Sequence, residues 1–230
     1  MRIQTTAHFE FVVSDIQQGI LAAVLNDDIA AIQAFLADGK NPAKVMDADG
    51  FTPLHLAAQH GRYEIMELLL SNKMPVDLKS REGFTPLHMA ANSGQLMAMK
   101  LLIDKGAKVT AKNNNGLTAL HIAASGNQPE VMRFLLEQDF SVNEKDSFGF
   151  TSLHVSAYYG FDRAVDILLA HGANCAARNI KGETPAKVAI NNDQHKVAGL
   201  LMQKQIEQIC SKKADKRIRT QAKEPALAGS

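Results

Sequence analysis

The sequence contains no tryptophan, two cysteines and three tyrosines, and aromatic residues make up only 6% of its 230 positions. Cys175 and Cys210 are too few for a disulfide framework, and neither stands in a Cys-x-x-Cys or Cys/His metal spacing. A reducing compartment, the cytoplasm first, is the expected setting. No apolar run reaches the roughly 18 residues of a membrane span, and Glu10 breaks the apolar patch of MRIQTTAHFEFVVSD, so neither a span nor a signal peptide is expected. Charge of one sign is also missing: 25 Lys+Arg against 24 Asp+Glu leave +1, which gives no general attraction to nucleic acid or anionic lipid. The motifs GxSxG, GxxxxGK[ST], HExxH and GxGxxG are absent as well, so no catalytic, phosphate-binding or zinc-protease site announces itself.

What the sequence has is a period. Thr52-Pro53-Leu54-His55, Thr85-Pro86-Leu87-His88, Thr118-Ala119-Leu120-His121, Thr151-Ser152-Leu153-His154 and Thr184-Pro185-Ala186-Lys187 start 33 residues apart without insertion or deletion. Gly50, Gly83, Gly116, Gly149 and Gly182 keep the same step, as do the apolar pairs Leu68-Leu69, Leu101-Leu102, Phe134-Leu135, Ile167-Leu168 and Leu200-Leu201. A degenerate earlier copy has Leu21, Ile32, Phe35 and Leu36 at core positions. Thr is a good helix N-cap and Pro fits the first helical position, so each copy starts a helix at its Thr. Gly61, Gly94 and Gly160 fall where that helix must end, and a second helix follows, for example Tyr63 to Ser71 with Ile65, Leu68 and Leu69 on one stripe. No copy can enclose its own apolar face, so the copies must stack.

The Thr-Pro-Leu-His-x-Ala run at Thr52–Ala57 and Thr85–Ala90, and its Ala119 variant at Thr118–Ala123, resembles the ankyrin repeat. The resemblance implies an all-α solenoid of helix-turn-helix units joined by β-hairpin-like turns. The expected organisation is an N-terminal extension, 1–14, then a single repeat domain, 15–211, then a basic disordered tail, 212–230. The repeats are expected at 15–46 (a cap), 47–79, 80–112, 113–145, 146–178 and 179–211 (a second cap). The third central copy departs most, with no Pro at Ala119 and Ser125-Gly126-Asn127 where its neighbours place Gly at the third of these positions.

The period also bears on residues that look chemical. His55, His88, His121 and His154 recur once per copy, and stacked copies lie about 10 Å apart, whereas metal ligands converge to about 2 Å from one ion. They are read as buried imidazoles bonded to the neighbouring turn, as the resemblance implies. No metal, no other cofactor and no catalytic residue is expected. Met66, Met89, Met97, Met99 and Met132 are read as core filling rather than a Met-rich binding face, and Cys175 as a small buried residue.

A partner is expected on the concave surface, since ankyrin-like repeats bind through turn tips and the exposed side of the first helix. The candidate contacts are Phe51, Gln59, His60, Arg81, Phe84 and Asn92 in the first two central copies. Phe148, Phe150, Tyr158 and Tyr159 are the candidates in the fourth. Four aromatics within twelve positions make that copy the expected hot spot. Phe148 and Phe150, two apart in an extended tip, are expected to point to one side. Phe150, like Phe51 and Phe84, has an equally weighted alternative as a spacer under the next turn. Lys112, Lys145 and Arg178, with Lys79, form a cationic ladder read first as structural and second as a basic edge for an acidic peptide or phosphate. The segment 211–230 holds six basic and two acidic residues, against a net −3 for the rest. Its Lys212-Lys213 and Lys216-Arg217 pairs resemble a weak nuclear-import or acidic-surface-binding cluster, with a solvated tail as the plainer reading. The expected function is a noncatalytic adaptor or scaffold, a monomer that binds another protein or peptide and neither membrane nor nucleic acid. A nuclear regulator or secreted host-directed effector is the alternative, and an enzyme or small-ligand sensor comes last.

Overall fold

A computed structural model describes residues 19–138 and 140–221, with side chains through residue 209. The expected extension 1–14 and the last nine residues of the expected tail lie outside the described residues. Residues 19–25 form α1, and α2 spans Ile29–Ala37. Five pairs follow: α3 (Pro53–His60) with α4 (Tyr63–Ser71), α5 (Pro86–Asn92) with α6 (Leu96–Asp104), and α7 (Ala119–Ser125) with α8 (Pro129–Glu137). Then come α9 (Ser152–Tyr159) with α10 (Asp162–Ala170), and α11 (Pro185–Asn191) with α12 (His195–Gln221). The first helices α3, α5, α7, α9 and α11 stack on one another as one layer, and α2, α4, α6, α8 and α10 stack as a second. No strand occurs among the described residues.

Leu54, Leu87, Leu120 and Leu153 of the first helices are buried together with Met66, Met99 and Met132 of the second, so these three methionines fill the core as expected, whereas Met97 is 63% exposed and Met89 half-buried, against expectation. On α4 the buried set is Ile65, Met66 and Leu69, with Leu68 half-buried: the seam between the layers takes Met66 where the sequence pattern chose Leu68. Ala57-Ala58, Ala90-Ala91 and Ala123-Ala124 are buried within the stack of first helices. In the first copy Ile32 and Phe35 are buried and Leu21 and Leu36 half-buried.

The connections are hairpin-like in their bonding without forming strands. In one tip Asp47 N donates to Phe51 O at 3.0 Å and Gly50 N to Asp47 O at 3.1 Å. Each tip then bonds to the next: Arg81 N donates to Asp49 O, Asn114 N to Glu82 O and Ser147 N to Asn115 O, each at 2.9 Å, and Ile180 N to Phe148 O at 3.0 Å. Successive copies are thus coupled by backbone as well as by side chains.

Two departures from the sequence pattern have visible causes. Helix α12 continues to Gln221, ten residues past the expected end of the last repeat, where a disordered tail was expected. The segment Ser211–Gln221 has no Gly or Pro, and five of its eleven residues are Lys or Arg, both favourable in helices, so nothing in its sequence stops the helix. The third copy ends α7 with Asn127, not glycine, in the left-handed region at φ 50°. Gly61, Gly94 and Gly160 lie against the side chains of Gln95, Gln128 and Gln194, which a Cβ would strike. At the matching place beside Asn127 stands Phe161, so the missing glycine and the missing glutamine go together.

Ala119 sits at the first position of α7 behind Thr118 at φ −101°, ψ 169°, close to the −102° and 165° of Thr85 before Pro86. That geometry already suits proline. Ala119→Pro is expected to raise unfolding free energy by about 0.4–1 kcal/mol, read by urea denaturation. A loss of stability would show that the start of α7 tolerates no ring.

Candidate functional site: the concave groove

The floor of the groove is set by the four histidines. Thr52 N–H donates to Nδ1 of His55 at 3.1 Å, so Nδ1 is the acceptor nitrogen and Nε2–H donates to Phe84 O of the next copy at 2.9 Å. His88 reaches Leu117 O at 3.2 Å, His121 reaches Phe150 O at 3.0 Å, and His154 reaches Glu183 O at 3.1 Å in the same way. The Thr and His of each helix start also close a reciprocal capping box. Burial lowers all four imidazoles below their ordinary value, His88 to about 4. These are neutral staples between copies. A proton on Nδ1 would face the Thr N–H, so the ring cannot be a general base without breaking its cap.

Above that floor lie two apolar depressions that share Ile122. One, of about 230 Å³, is lined by Phe51, Phe84, His88, Met89, Asn92 and Ile122. The other, of about 360 Å³, lies between α7 and α9 and is lined by Leu117, His121, Ile122, Ser125, Phe150, Val155, Tyr158 and Tyr159. The second opens because the third copy is small where its neighbours are large: Leu117 stands where Phe51, Phe84 and Phe150 stand, and Ser125 where Tyr158 stands in the next copy. Tyr159 is held in place. Its ring meets Tyr158 edge-on at 4.9 Å and stacks on Phe161 at 5.3 Å with a 16° interplanar angle.

The family model for ankyrin repeats in three copies matches residues 20–113, 110–179 and 143–215. The chain belongs to the ankyrin-repeat family. Ankyrin repeats are generally protein–protein interaction modules and typically noncatalytic. No curated protein matches the chain. No helix among its described residues is long and apolar enough to cross a membrane.

Within this ankyrin groove the candidate residues separate into groups. Phe150, Tyr158 and Tyr159 share the larger depression, and Phe51, Phe84 and Asn92 share the smaller. Phe148 is exposed but lines neither, which corrects the expectation that it and Phe150 point to one side. The tip is not extended there. Gly149 turns the chain at φ 75°, and Asp146 Oδ1 accepts from both Phe148 N and Phe150 N, so the two-residue alternation is lost. Phe51, Phe84 and Phe150 are half-buried against His55, His88 and His154 at ring-centroid distances of 5.6, 6.0 and 5.4 Å, so each supports a staple as well as a groove wall. Gln59 is half-buried, and His60 and Arg81 are exposed and line neither depression.

The cationic ladder has structural partners. Lys79 Nζ donates to Lys112 O at 3.0 Å, Lys145 Nζ to Arg178 O at 2.8 Å, and Lys112 Nζ to Glu144 Oε2 at 3.0 Å. Arg178 bonds to Gly182 O within its own turn. Each ammonium is thereby directed at a carbonyl or carboxylate of the following copy, not at an open edge. Cys175 is buried, which raises its thiol above the ordinary range and leaves little thiolate.

The row Leu56, Met89, Ile122 and Val155 is absent from the sequence-based candidates, yet three of the four line the depressions. Its signal was available: it is the variable position after the histidine in each signature, apolar in all four copies and one helical turn before Gln59, Asn92, Ser125 and Tyr158.

Proposed function

We propose that this ankyrin-repeat chain is a noncatalytic adaptor that captures another protein or peptide in its concave groove, with an apolar side chain of the partner anchored between α7 and α9. The observation that carries the reading is the depression of about 360 Å³ walled by Phe150, Tyr158 and Tyr159 over Ile122 and Val155. Tyrosines give large contact area at low entropic cost, and Phe161 stacked under Tyr159 reduces the ordering left to be done on binding. Neutral histidines bonded to carbonyls supply the floor, so recognition there is by shape and apolar contact.

The test is affinity capture of the partner, followed by titration with purified variants. Tyr158→Ala with Tyr159→Ala is expected to weaken binding about tenfold or more. Arg81→Ala with Asn92→Ala in the second central copy is expected to change it little. Both tyrosines are exposed, so folding should survive, and circular dichroism checks it. A greater loss in the Arg81/Asn92 variant would move the anchor to the other depression.

A further inference from the structure

Helix α12 does not fit the role of a plain terminal cap. The other second helices, α4, α6, α8 and α10, each have nine residues, whereas α12 has 27. At 1.5 Å per residue it is about 40 Å long, against about 14 Å for the others. Val197, Ala198 and Leu201 on its inner side are buried against the stack. A terminal repeat is expected to turn a polar face outward, yet Met202, Ile206 and Ile209 are 48%, 63% and 42% exposed. Their spacing of four and then three puts them on one stripe. In sequence the same alternation leads on to Lys213 and Lys216.

The charge of this helix says what could cover the stripe. Residues 195–221 contain seven Lys and Arg against Glu207 and Asp215, while the rest of the chain holds eighteen against twenty-two. Glu207 is engaged by Lys204 at 2.8 Å and Gln203 at 3.2 Å. Two copies of α12 side by side would bring like charge against like charge, which argues against self-pairing. An anionic bilayer would attract the charge, but an interfacial helix buries a broad apolar face with aromatic anchors, whereas the described side chains of α12 expose Met202, Ile206 and Ile209 as their large apolar residues and the helix sequence has no aromatic. A heptad-spaced stripe matches instead the anchors by which one helix reads another.

We infer that α12 is a second docking surface, separate from the groove, for an acidic amphipathic helix of a partner protein. The partner seats apolar residues at heptad spacing along Met202, Ile206 and Ile209 and presents Glu or Asp toward the basic end of α12.

The experiment uses the full chain and a fluorescent synthetic peptide of about three heptads, with Leu at the seam and Glu at the flanking positions. A scrambled peptide of equal composition and vesicles of equimolar phosphatidylserine and phosphatidylcholine serve as comparisons. The heptad peptide is expected to bind, more tightly as salt is lowered, and better than the scrambled one. Ile206→Asp, at an exposed position, should weaken it about tenfold or more, and Lys213→Glu with Lys216→Glu should weaken it and flatten the salt dependence. The Tyr158/Tyr159 variant should bind it normally, which separates this surface from the groove. The inference is overturned by equal binding of the scrambled peptide, by indifference to Ile206→Asp in a folded variant, or by uptake on the vesicles without peptide binding.

Discussion

Lowering the pH from 7 toward 4.5 is expected to destabilise the protein steeply, with the loss beginning near pH 6.5, above the ordinary carboxylate range. The cause is the row of neutral histidines, His55, His88, His121 and His154. In the unfolded chain each titrates near 6.5, and burial holds the folded value lower, about 4 for His88. Between those two values the unfolded chain binds more protons than the folded one, so stability rises with pH through this window. The contribution is complete above about 6.5 and is lost as pH falls toward the folded value. At about 1.4 kcal/mol per pH unit for one proton, His88 alone is worth on the order of 3 kcal/mol by pH 4. Three further histidines act in the same direction. Urea denaturation at a series of pH values between 7 and 5 should give a slope above one proton. His88→Leu should be less stable at pH 7, because the staple to Leu117 O is gone, but should show a slope smaller by about one proton. A flat profile from pH 7 to pH 5, or a slope unchanged in His88→Leu, would mean that these rings are not held neutral.

Much of the fold was legible because each signature residue is a local instruction. Thr caps, Pro starts and Gly ends a helix through its own backbone chemistry, and a strict 33-residue step repeats those instructions without a frame shift. The histidines were legible for a different reason, since a residue that recurs every copy cannot converge on one ion. Harder to read was anything that depends on the neighbouring copy. Gly61, Gly94 and Gly160 end helices, but they also clear space for Gln95, Gln128 and Gln194, and only the stacked structure reveals that pairing.

The groove was legible by register and less so by direction. Tyr158, Tyr159 and Phe150 were found from their density in sequence and do share one depression. Phe148 was found by the same density and does not, because one left-handed residue at Gly149 redirects the tip. Leu56, Met89, Ile122 and Val155 were passed over since each alone resembles an ordinary core residue. When the first helices line up side by side, Leu56, Met89 and Val155 stay half-buried on the groove side and Ile122 is buried between them. The end of α12 is harder to read because the segment lacks the apolar period that marks a packed helix, yet Ser211–Gln221 contains no Gly or Pro to break one.

The same distinction between local and inter-copy demands gives the second large effect. Gly83 and Gly182 occupy equivalent turn positions at φ 81° and 74°, and each donates to a carbonyl three residues earlier, Ser80 or Asn179. They differ in what lies beyond. A Cβ at Gly83 would stand 2.8 Å from the backbone nitrogen of Asn114, which donates to Glu82 O at 2.9 Å and couples the second and third tips. At Gly182, the last tip, nothing lies within 4 Å. Gly182→Ala therefore bears only the left-handed strain of an L-residue, about 1–2 kcal/mol. Gly83→Ala bears that strain and must also push Asn114 away, breaking its bonds to Glu82 O and, through Nδ2, to Arg81 O. The additional loss is expected to be about 1–2 kcal/mol, since two hydrogen bonds across a joint between copies are broken. Equilibrium urea denaturation of the two variants at one pH compares them directly. Equal losses would show that these glycines are kept for backbone conformation alone, and that contact between tips adds little to the stacking of the solenoid.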